Sequence, residues 1–439
     1  MSNPSFTLSA AFARDIWTSL GADPALLRNL ATTGDGDLPS AFAVTDLAAG
    51  SIGASGLAIA ELVSTQGGEA PPVQVDRRLA SFWFGMTLRP EGWSMPPPWD
   101  PIAGDYQAAD GWIRLHTNAP HHRTAALSVL RAPAEKAAVT DAVAKWKIDD
   151  LEHAVVQAGG CAAAMRDLAS WADHPHGKTV AAEPIAWIDA GDASPDKDWT
   201  PSRQQPLSGI RVLDLTRVLA GPVATRCLAG FGADVLRIDP PDWDEPGVIP
   251  EVTLGKRCAR LDLRHPDGKR LLEDLLASAD VLVHGYRPDA LARLGLDAAA
   301  RRRIRPGLVD VCLDAYGWSG PWRGRRGFDS LVQMSSGIAA KGMRHYAADK
   351  PRPLPVQALD QATGIIMAAA AIRGLTRRLI DRAGSGARTS LVRTAALLTS
   401  HPAAGQGGAF AQPEDSDFSP EIEATAWGPA RRMKGSGSV

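Results

Sequence analysis

The residue best placed for covalent chemistry in this sequence is Asp360. It stands in PVQALDQATGIIMAAAAIRGL (355–375), directly before a run of small and aliphatic residues that reads as a buried helix. Asp is among the best helix N-caps, because its carboxylate accepts the orphan amides of the first turn. A carboxylate at a helix start is also a candidate covalent nucleophile, with the same amides steadying the oxyanion formed when it attacks a thioester. Position alone does not separate the two. Asp46 stands in a similar setting: it precedes Gly50 by four residues, as Asp360 precedes Gly364, and both acids open small-residue helical runs. Further on, VDRRLASFW (75–83) occupies the place of TSLVRTAAL (389–397), so the sequence predicts one copied segment in the two halves of the chain.

Other residue patterns offer weaker chemistry. The loop in RVLAGPVAT (217–225) follows a strand, where a nucleotide-binding α/β protein puts its phosphate loop, but its spacing is not GxGxxG. The N-terminus of the helix after it would still favour an anionic group. HTNAPHH and DHPHG supply His116, His121, His122, His174 and His176 as conceivable metal ligands. Neither has the helical spacing of HExxH or a suitable neighbouring acid, so the expectation is solvated loop histidines and no metal. A GxSxG nucleophile elbow is absent. The arginines of AAARRRIRPG read as a solvated helix end favoured by the C-terminal dipole.

The elements that must position Asp360 are regular from residue 207 onward. IRVLDLT is a short apolar strand, AGPVATRCLAGFG a small-residue helix closed by Gly, and ADVLRID a second strand. Then come RCARLDL, the helix PDGKRLLEDLLASA, the strand DVLVHGY, the helix PDALARLGLD and the strand GLVDVCL. Apolar strands alternating with helices predict an α/β fold: an open, Rossmann-like parallel sheet covered on both faces, with ligands at the carboxyl ends of its strands. The N-terminal half reads as a smaller α+β domain. The expected division is a small domain over 1–190 with a copy of the Asp360 helix segment, a Pro- and Asp-rich linker over 191–208, the sheet domain over 209–400, and a flexible tail over 401–439.

Composition bounds the partners. The 439 residues carry a formal net charge of -2 with Lys and Arg spread along the chain, which gives no continuous basic face for nucleic acid or an acidic membrane. No apolar window is read as long enough to span a bilayer, and the N-terminus has no secretory pattern. Cys161, Cys227, Cys258 and Cys312 lie far apart without CxxC spacing, which fits a reducing cytoplasm.

From PLSGIRVLDLTRVLAGPVATRCLAGFGADVLRID through LGKRCARLDLRHPDGKRLLEDLLASADVLVHGYRPDALARLGL, GWSGPWRGRRGFDSLVQMSSG, LDQATG and GSGARTSLVRTAAL, about 190 residues resemble the family III CoA-transferases. That group includes formyl-CoA and carnitine CoA-transferases and α-methylacyl-CoA racemase. The resemblance implies that Asp360 is the catalytic nucleophile, forming an aspartyl-CoA thioester as CoA moves between carboxylic acids. It also implies a CoA site made of Arg217, Val218, Leu219, Ala220, Lys256, Gly285, Tyr286, Arg293, Arg326 and Phe328. Arginines among these suit the phosphates of CoA. Acyl-CoA is then a substrate, with no prosthetic group, a carboxylic acid is the acceptor, and the protein is a homodimer.

The chain departs from the family pattern at His284 and Gly285, where Glu-Asn is common, at Leu219, where some members have a catalytic Gln, and in PPDWDEPGVIPE after the second strand. The racemase branch has a His where this chain has Phe328, so transfer is favoured over racemisation of a 2-methylacyl-CoA. A catalytically silent CoA-binding subunit is the alternative from another class. YQAADGW and ASWADHPHG precede the α/β part here although they follow it in the family, so the chain reads as permuted or as the middle of a fused tandem.

Overall fold

The computed structural model of the chain describes residues 7–194, 199–401 and 408–439. Its central feature is a sheet of seven strands in the order Arg257–Arg260, Asp234–Asp239, Arg211–Leu215, Val281–His284, Val309–Asp314, Ala383–Ser390 and Ala186–Ala193. Every neighbouring pair is parallel except the last. Val281–His284 is buried along its whole length, as a central strand covered on both faces must be. Counted from Arg211, the parallel strands lie in the order 3-2-1-4-5-6. The winding therefore reverses between Arg211–Leu215 and Val281–His284, and side chains just past their carboxyl ends flank a crevice there.

Helix Ala358–Asp381 lies against this sheet and packs on helix Ala220–Gly230 on one side and on helix Val44–Ser64 on the other. Val44–Ser64 is long and apolar enough by length and composition to cross a membrane, contrary to the reading of the sequence, but most of it is buried inside the protein. Its Ala, Leu, Ile and Val residues join the apolar residues of Ala358–Asp381 in one core shared by the two halves of the chain. Each fully buried Leu or Ile there contributes roughly 1.5–3 kcal/mol.

The two helices enter that core by the same turn. The amide of Val44 donates to the carbonyl of Phe42 at 2.9 Å, and that of Ala358 to Val356 at 2.8 Å. The residues between, Ala43 and Gln357, have φ/ψ of -76/59 and -75/63, the values of an inverse γ-turn. One turn later Gly50 and Gly364 hold the neighbouring helices at close range. A Cβ on Gly50 would lie 2.6 Å from Phe12 Cβ and 2.8 Å from the Ser9 carbonyl; one on Gly364 would lie 2.8 Å from Val223 Cβ and 2.3 Å from the Ala220 carbonyl. Helix Leu8–Ser19 thus stands to Val44–Ser64 as Ala220–Gly230 stands to Ala358–Asp381, and Leu8–Ser19 and Ala220–Gly230 are followed by the matching sequences LGAD and FGAD. Strands Leu30–Thr33 and Val73–Asp76 pair in parallel, like Val309–Asp314 and Ala383–Ser390.

A separate small core lies between strands Gly104–Gln107 and Trp112–Leu115 and the helices Pro120–Leu130, Lys136–Val143 and Ile148–Gln157. This is the mixed α+β part of the N-terminal half. Its boundary with the large sheet is not where composition puts it, because Ala186–Ala193, which spans the end of the predicted small domain and the start of the predicted linker, closes that sheet as an antiparallel edge. The segment predicted as a flexible tail is also structured where it is described. Gly428–Arg432 pairs with Glu423–Thr425 on one side and Leu88–Pro90 on the other, Gly437–Ser438 pairs with Val73–Asp76, and Arg78 grips the Asp417 carboxylate with two bonds. Strands this short, set among Pro and Gly, leave no period for sequence to display. Residues 1–6, 195–198 and 402–407, which fall in the predicted small domain, linker and tail, lie outside the described residues.

Candidate active site

A cavity of about 360 Å³ opens at the winding reversal of the sheet. The loop after Arg211–Leu215 brings Arg217, Val218, Leu219 and Ala220 to its wall, and the loop after Val281–His284 brings Gly285 and Tyr286. Arg326 and Phe328 come from the turn before helix Asp329–Ser335, and Asp360 from the first turn of its own helix. All of the predicted site residues except Lys256 and Arg293 therefore line one space.

The Arg217–Ala220 loop is strained. Val218 has φ of 66°, a left-handed conformation that β-branched residues rarely adopt and that costs on the order of 1–3 kcal/mol. Its amide is held by Glu245 Oε1 at 2.7 Å. Glu245 in turn accepts from Arg237 Nη2 at 2.9 Å, so the buried Arg237 anchors the carboxylate that holds the loop. The Ala220 amide, at the start of helix Ala220–Gly230, lies close enough to Asp360 to favour its charged form. Arg217 swings across the mouth, its guanidinium 4.7 Å from the Trp243 ring centroid, with a 3.1 Å bond from Nη2 to the Tyr286 hydroxyl. Trp243 and Glu245 both come from PPDWDEPGVIPE, the stretch that departs from the family pattern.

Asp360 is not a helix cap. The N-cap position belongs to Gln357, and the capping carboxylate is that of Asp329 on the neighbouring helix. Asp329 Oδ2 accepts the amides of Leu359 at 2.9 Å and Asp360 at 3.0 Å. Its Oδ1 accepts from Gln333 Nε2, and Gln333 Oε1 takes the amide of Leu354 at 2.8 Å, which ties down the approach to the helix. Asp360 is left with its carboxylate on the cavity wall and only 7% of its surface exposed. Burial pushes its pKa well above the ordinary carboxylate value, the nearby Asp329 pushes it further, and the Ala220 amide opposes both. Burial likewise raises Asp329, to about 6, against the pull of the amides it caps. At the end of strand Val309–Asp314, burial raises Asp314 to about 7.

Two predicted CoA contacts are elsewhere. Lys256 is fully buried and its ammonium spends its donors on Asp214 Oδ2 at 3.1 Å, the Pro222 carbonyl at 2.9 Å and Thr225 Oγ1 at 2.6 Å. It fastens the helix Ala220–Gly230 to the strand before it and has no donor left for a phosphate. Arg293 sits on the exposed turn Ala290–Arg293, paired with Asp289 four residues earlier, away from the cavity.

Of the five histidines expected to be solvated, His121 is exposed and His174 half-buried, but the other three are enclosed. His116, His122 and His176 are buried, and burial lowers the first two to about 3, so they are neutral. His116 stacks on Phe328 with ring centroids 3.7 Å apart, and His122 meets the same ring edge-on at 5.9 Å. His121 and His122 line the cavity, together with Arg287 and Arg325. Asp329 stood unremarked in GFDSLVQ, one residue from Phe328; His122 was noted only as a conceivable metal ligand, because its helix reaches the site only through the tertiary fold.

Asp46, the corresponding acid in the N-terminal half, has different surroundings. Its Oδ1 accepts from Ser9 Oγ at 2.5 Å and from Arg77 Nη2 at 3.0 Å, and Arg77 also pairs with Asp37. Arg77 is the counterpart of Leu391, which lines the Asp360 cavity. A guanidinium thus lies against Asp46 where the Asp360 cavity has the alkyl side chain of Leu391.

Residues 207–424 match the family model described as CoA-transferase family III. The chain is 33% identical over 205 residues to a succinate–glutarate CoA-transferase of Agrobacterium fabrum, covering 42% of this chain and 50% of that protein. It is 34% identical over 199 residues to a succinyl-CoA:glutarate CoA-transferase of Mus musculus, covering 42% and 44%. A solved structure of a hypothetical protein from Mycobacterium tuberculosis is similar over 45% of this chain and 58% of that one, at 29% identity and a TM-score of 0.41. The chain spans about half the length of the curated relatives it matches.

Proposed function

We propose, on the premise that residues 207–424 belong to CoA-transferase family III, that this chain moves CoA from an acyl-CoA to a carboxylic acid with Asp360 as the nucleophile. The Asp360 carboxylate attacks the thioester carbonyl, expelling CoA thiolate and leaving a mixed anhydride. The thiolate then attacks the aspartyl carbonyl, releasing the donor acid and forming an aspartyl-CoA thioester. The acceptor carboxylate attacks that thioester, expelling CoA thiolate and leaving a second mixed anhydride, and the thiolate then attacks the acceptor carbonyl, forming the new acyl-CoA and releasing the Asp360 carboxylate.

The observation that carries the reading is the placement of Asp360: a buried acid, relieved of any capping duty, on the wall of a cavity that also holds Arg217 and Arg326. Those guanidiniums suit CoA phosphates or an acid's carboxylate, and the Ala220 amide is a donor beside the reacting carboxyl. The names of the two relatives, built on succinate and glutarate, support small carboxylic acids as acceptors. Phe328 offers no proton, which favours transfer over racemisation. The proposal extends to a homodimer and to the reducing cytoplasm, where four free cysteines persist.

The test is incubation with a panel of acyl-CoAs followed by mass spectrometry. A CoA-mass or hydroxylamine-sensitive modification on the peptide containing Asp360 is expected. Modification of the Asp46 peptide instead would overturn the assignment.

A further inference from the structure

A second cavity, of about 310 Å³, has no lining residue in common with the Asp360 cavity. Two helices of the active site wall it with other residues: Val223, Arg226 and Cys227 of Ala220–Gly230, and Gln361 and Ile365 of Ala358–Asp381. Ile52, Val73 and Phe84 of the N-terminal half and residues of the segment 432–439 complete the wall. These last lie outside 207–424, so the matched segment does not contain this cavity as a whole. A mostly apolar cavity of this size with a few convergent polar groups has the make-up of a small-molecule site.

The polar groups narrow the ligand. Arg226 is 9% exposed, with its guanidinium 4.9 Å from the Trp83 ring centroid. All its bonds leave from Nη1, to Glu251 and, at 3.1 Å, to Thr87 Oγ1. The amides of Thr87 and Leu88 hold Glu251 in turn, which fixes the guanidinium. Its Nε and Nη2 have no partner among the described residues, and they are not among the sealed orphan atoms of the interior, so they keep accessible surface. The same holds for the carboxamide of Gln361, which is 5% exposed. Nε and Nη2 form the side-on fork of donors that takes a carboxylate through two parallel bonds. Arg432, paired with Glu423, stands in the same wall, and among the described residues no Asp or Glu lines the cavity.

We propose that this cavity is a second ligand site, for a medium-chain carboxylic acid. The carboxylate sits on the Arg226 fork and the Gln361 amide, and the hydrocarbon chain lies along Ile52, Val73, Phe84, Val223 and Ile365. The site is separate from the one that holds Asp360, and it stands whether or not the transfer chemistry does.

The test is calorimetric titration of the full chain with butanoate, octanoate and 1-octanol. Octanoate is expected to bind about 100-fold more tightly than butanoate, from four further buried methylenes. It should also bind about 10-fold or more tightly than 1-octanol, which offers the arginine no charge. Gln361→Met, which keeps the side chain's length and removes its amide, should weaken octanoate about 10-fold. Arg226→Lys, which keeps a cation for Glu251 and loses the fork, should weaken it at least as much. Arg217→Ala, in the Asp360 cavity, should leave octanoate binding unchanged. Absence of octanoate binding, equal binding of 1-octanol, or loss of binding in Arg217→Ala overturns the proposal, as does full affinity in Gln361→Met. Should Arg226→Lys not fold, the other two variants decide. Should no adduct form on Asp360, the titrations still decide the role of this cavity.

Discussion

Asp329 caps the helix that carries Asp360: one of its carboxylate oxygens takes the amides of Leu359 and Asp360 at 2.9 and 3.0 Å. Its charge also raises the pKa of the acid it positions. Asp329→Asn keeps an acceptor for the amides and removes the charge. The Asp360 pKa should then fall. Because attack requires ionised Asp360, activity is lost as pH drops through that pKa, and the acid limb of the kcat/KM profile should move to lower pH in the variant. Asp329→Ala should instead cost about 1 kcal/mol of stability through the lost cap.

Replacing the nucleophile should separate function from stability. Asp360→Asn should lower turnover on the order of 10⁴-fold and abolish the adduct. A buried acid whose folded pKa is raised contributes stability below its unfolded pKa, near 4, and loses it as pH rises through the folded value. The variant should therefore melt higher than wild type at neutral pH, and the difference should vanish near pH 4. Calorimetric melts across pH check this.

The close helix contacts at Gly364 and Gly50 allow a paired comparison. Gly364→Ala presses a Cβ against the Ala220 carbonyl, and Gly50→Ala against Phe12 and Ser9. Each should cost about 1–3 kcal/mol in denaturant melts. Only Gly364→Ala should also depress kcat, because it displaces the segment whose amide faces Asp360.

Cationic residues sort by whether they reach the cavity. Arg217→Ala should raise KM for acyl-CoA by about 10-fold or more, the worth of a charged hydrogen bond. Arg293→Ala should change neither KM nor stability. Lys256→Met leaves Asp214 buried without its cation and should cost roughly 3–5 kcal/mol, while KM of the folded fraction stays unchanged.

At the second acid, Arg77→Leu strips Asp46 of its cation and should destabilise the fold, and adding Asp46→Asn should recover part of the loss. Neither change should produce a CoA adduct on the Asp46 peptide.

Sequence showed what is periodic or local. Alternating apolar strands and small-residue helices gave away the parallel sheet, and Asp360 and the Arg217–Ala220 loop stood at the ends of elements whose order places them together. Lys256 and Arg293, carried over by resemblance, do not line the cavity, because resemblance says nothing of burial or of a nearer partner. Asp329 and Asp360 are thirty-one positions apart and meet only when two helices pack. His122 comes from another part of the chain altogether, and its burial was hidden by a polar-looking stretch. The strands of 423–438 are too short for alternation to register.

The antiparallel strand Ala186–Ala193 has one more consequence. It covers the outer side of Ala383–Ser390, the last parallel strand, although it lies upstream of the matched region. A fragment begun at residue 207 would present Ala383–Ser390 as a naked edge, with a row of amides and carbonyls free to recruit strands from other molecules. One of the two sheet edges of the portion that carries the family signature is thus covered by sequence the signature does not include.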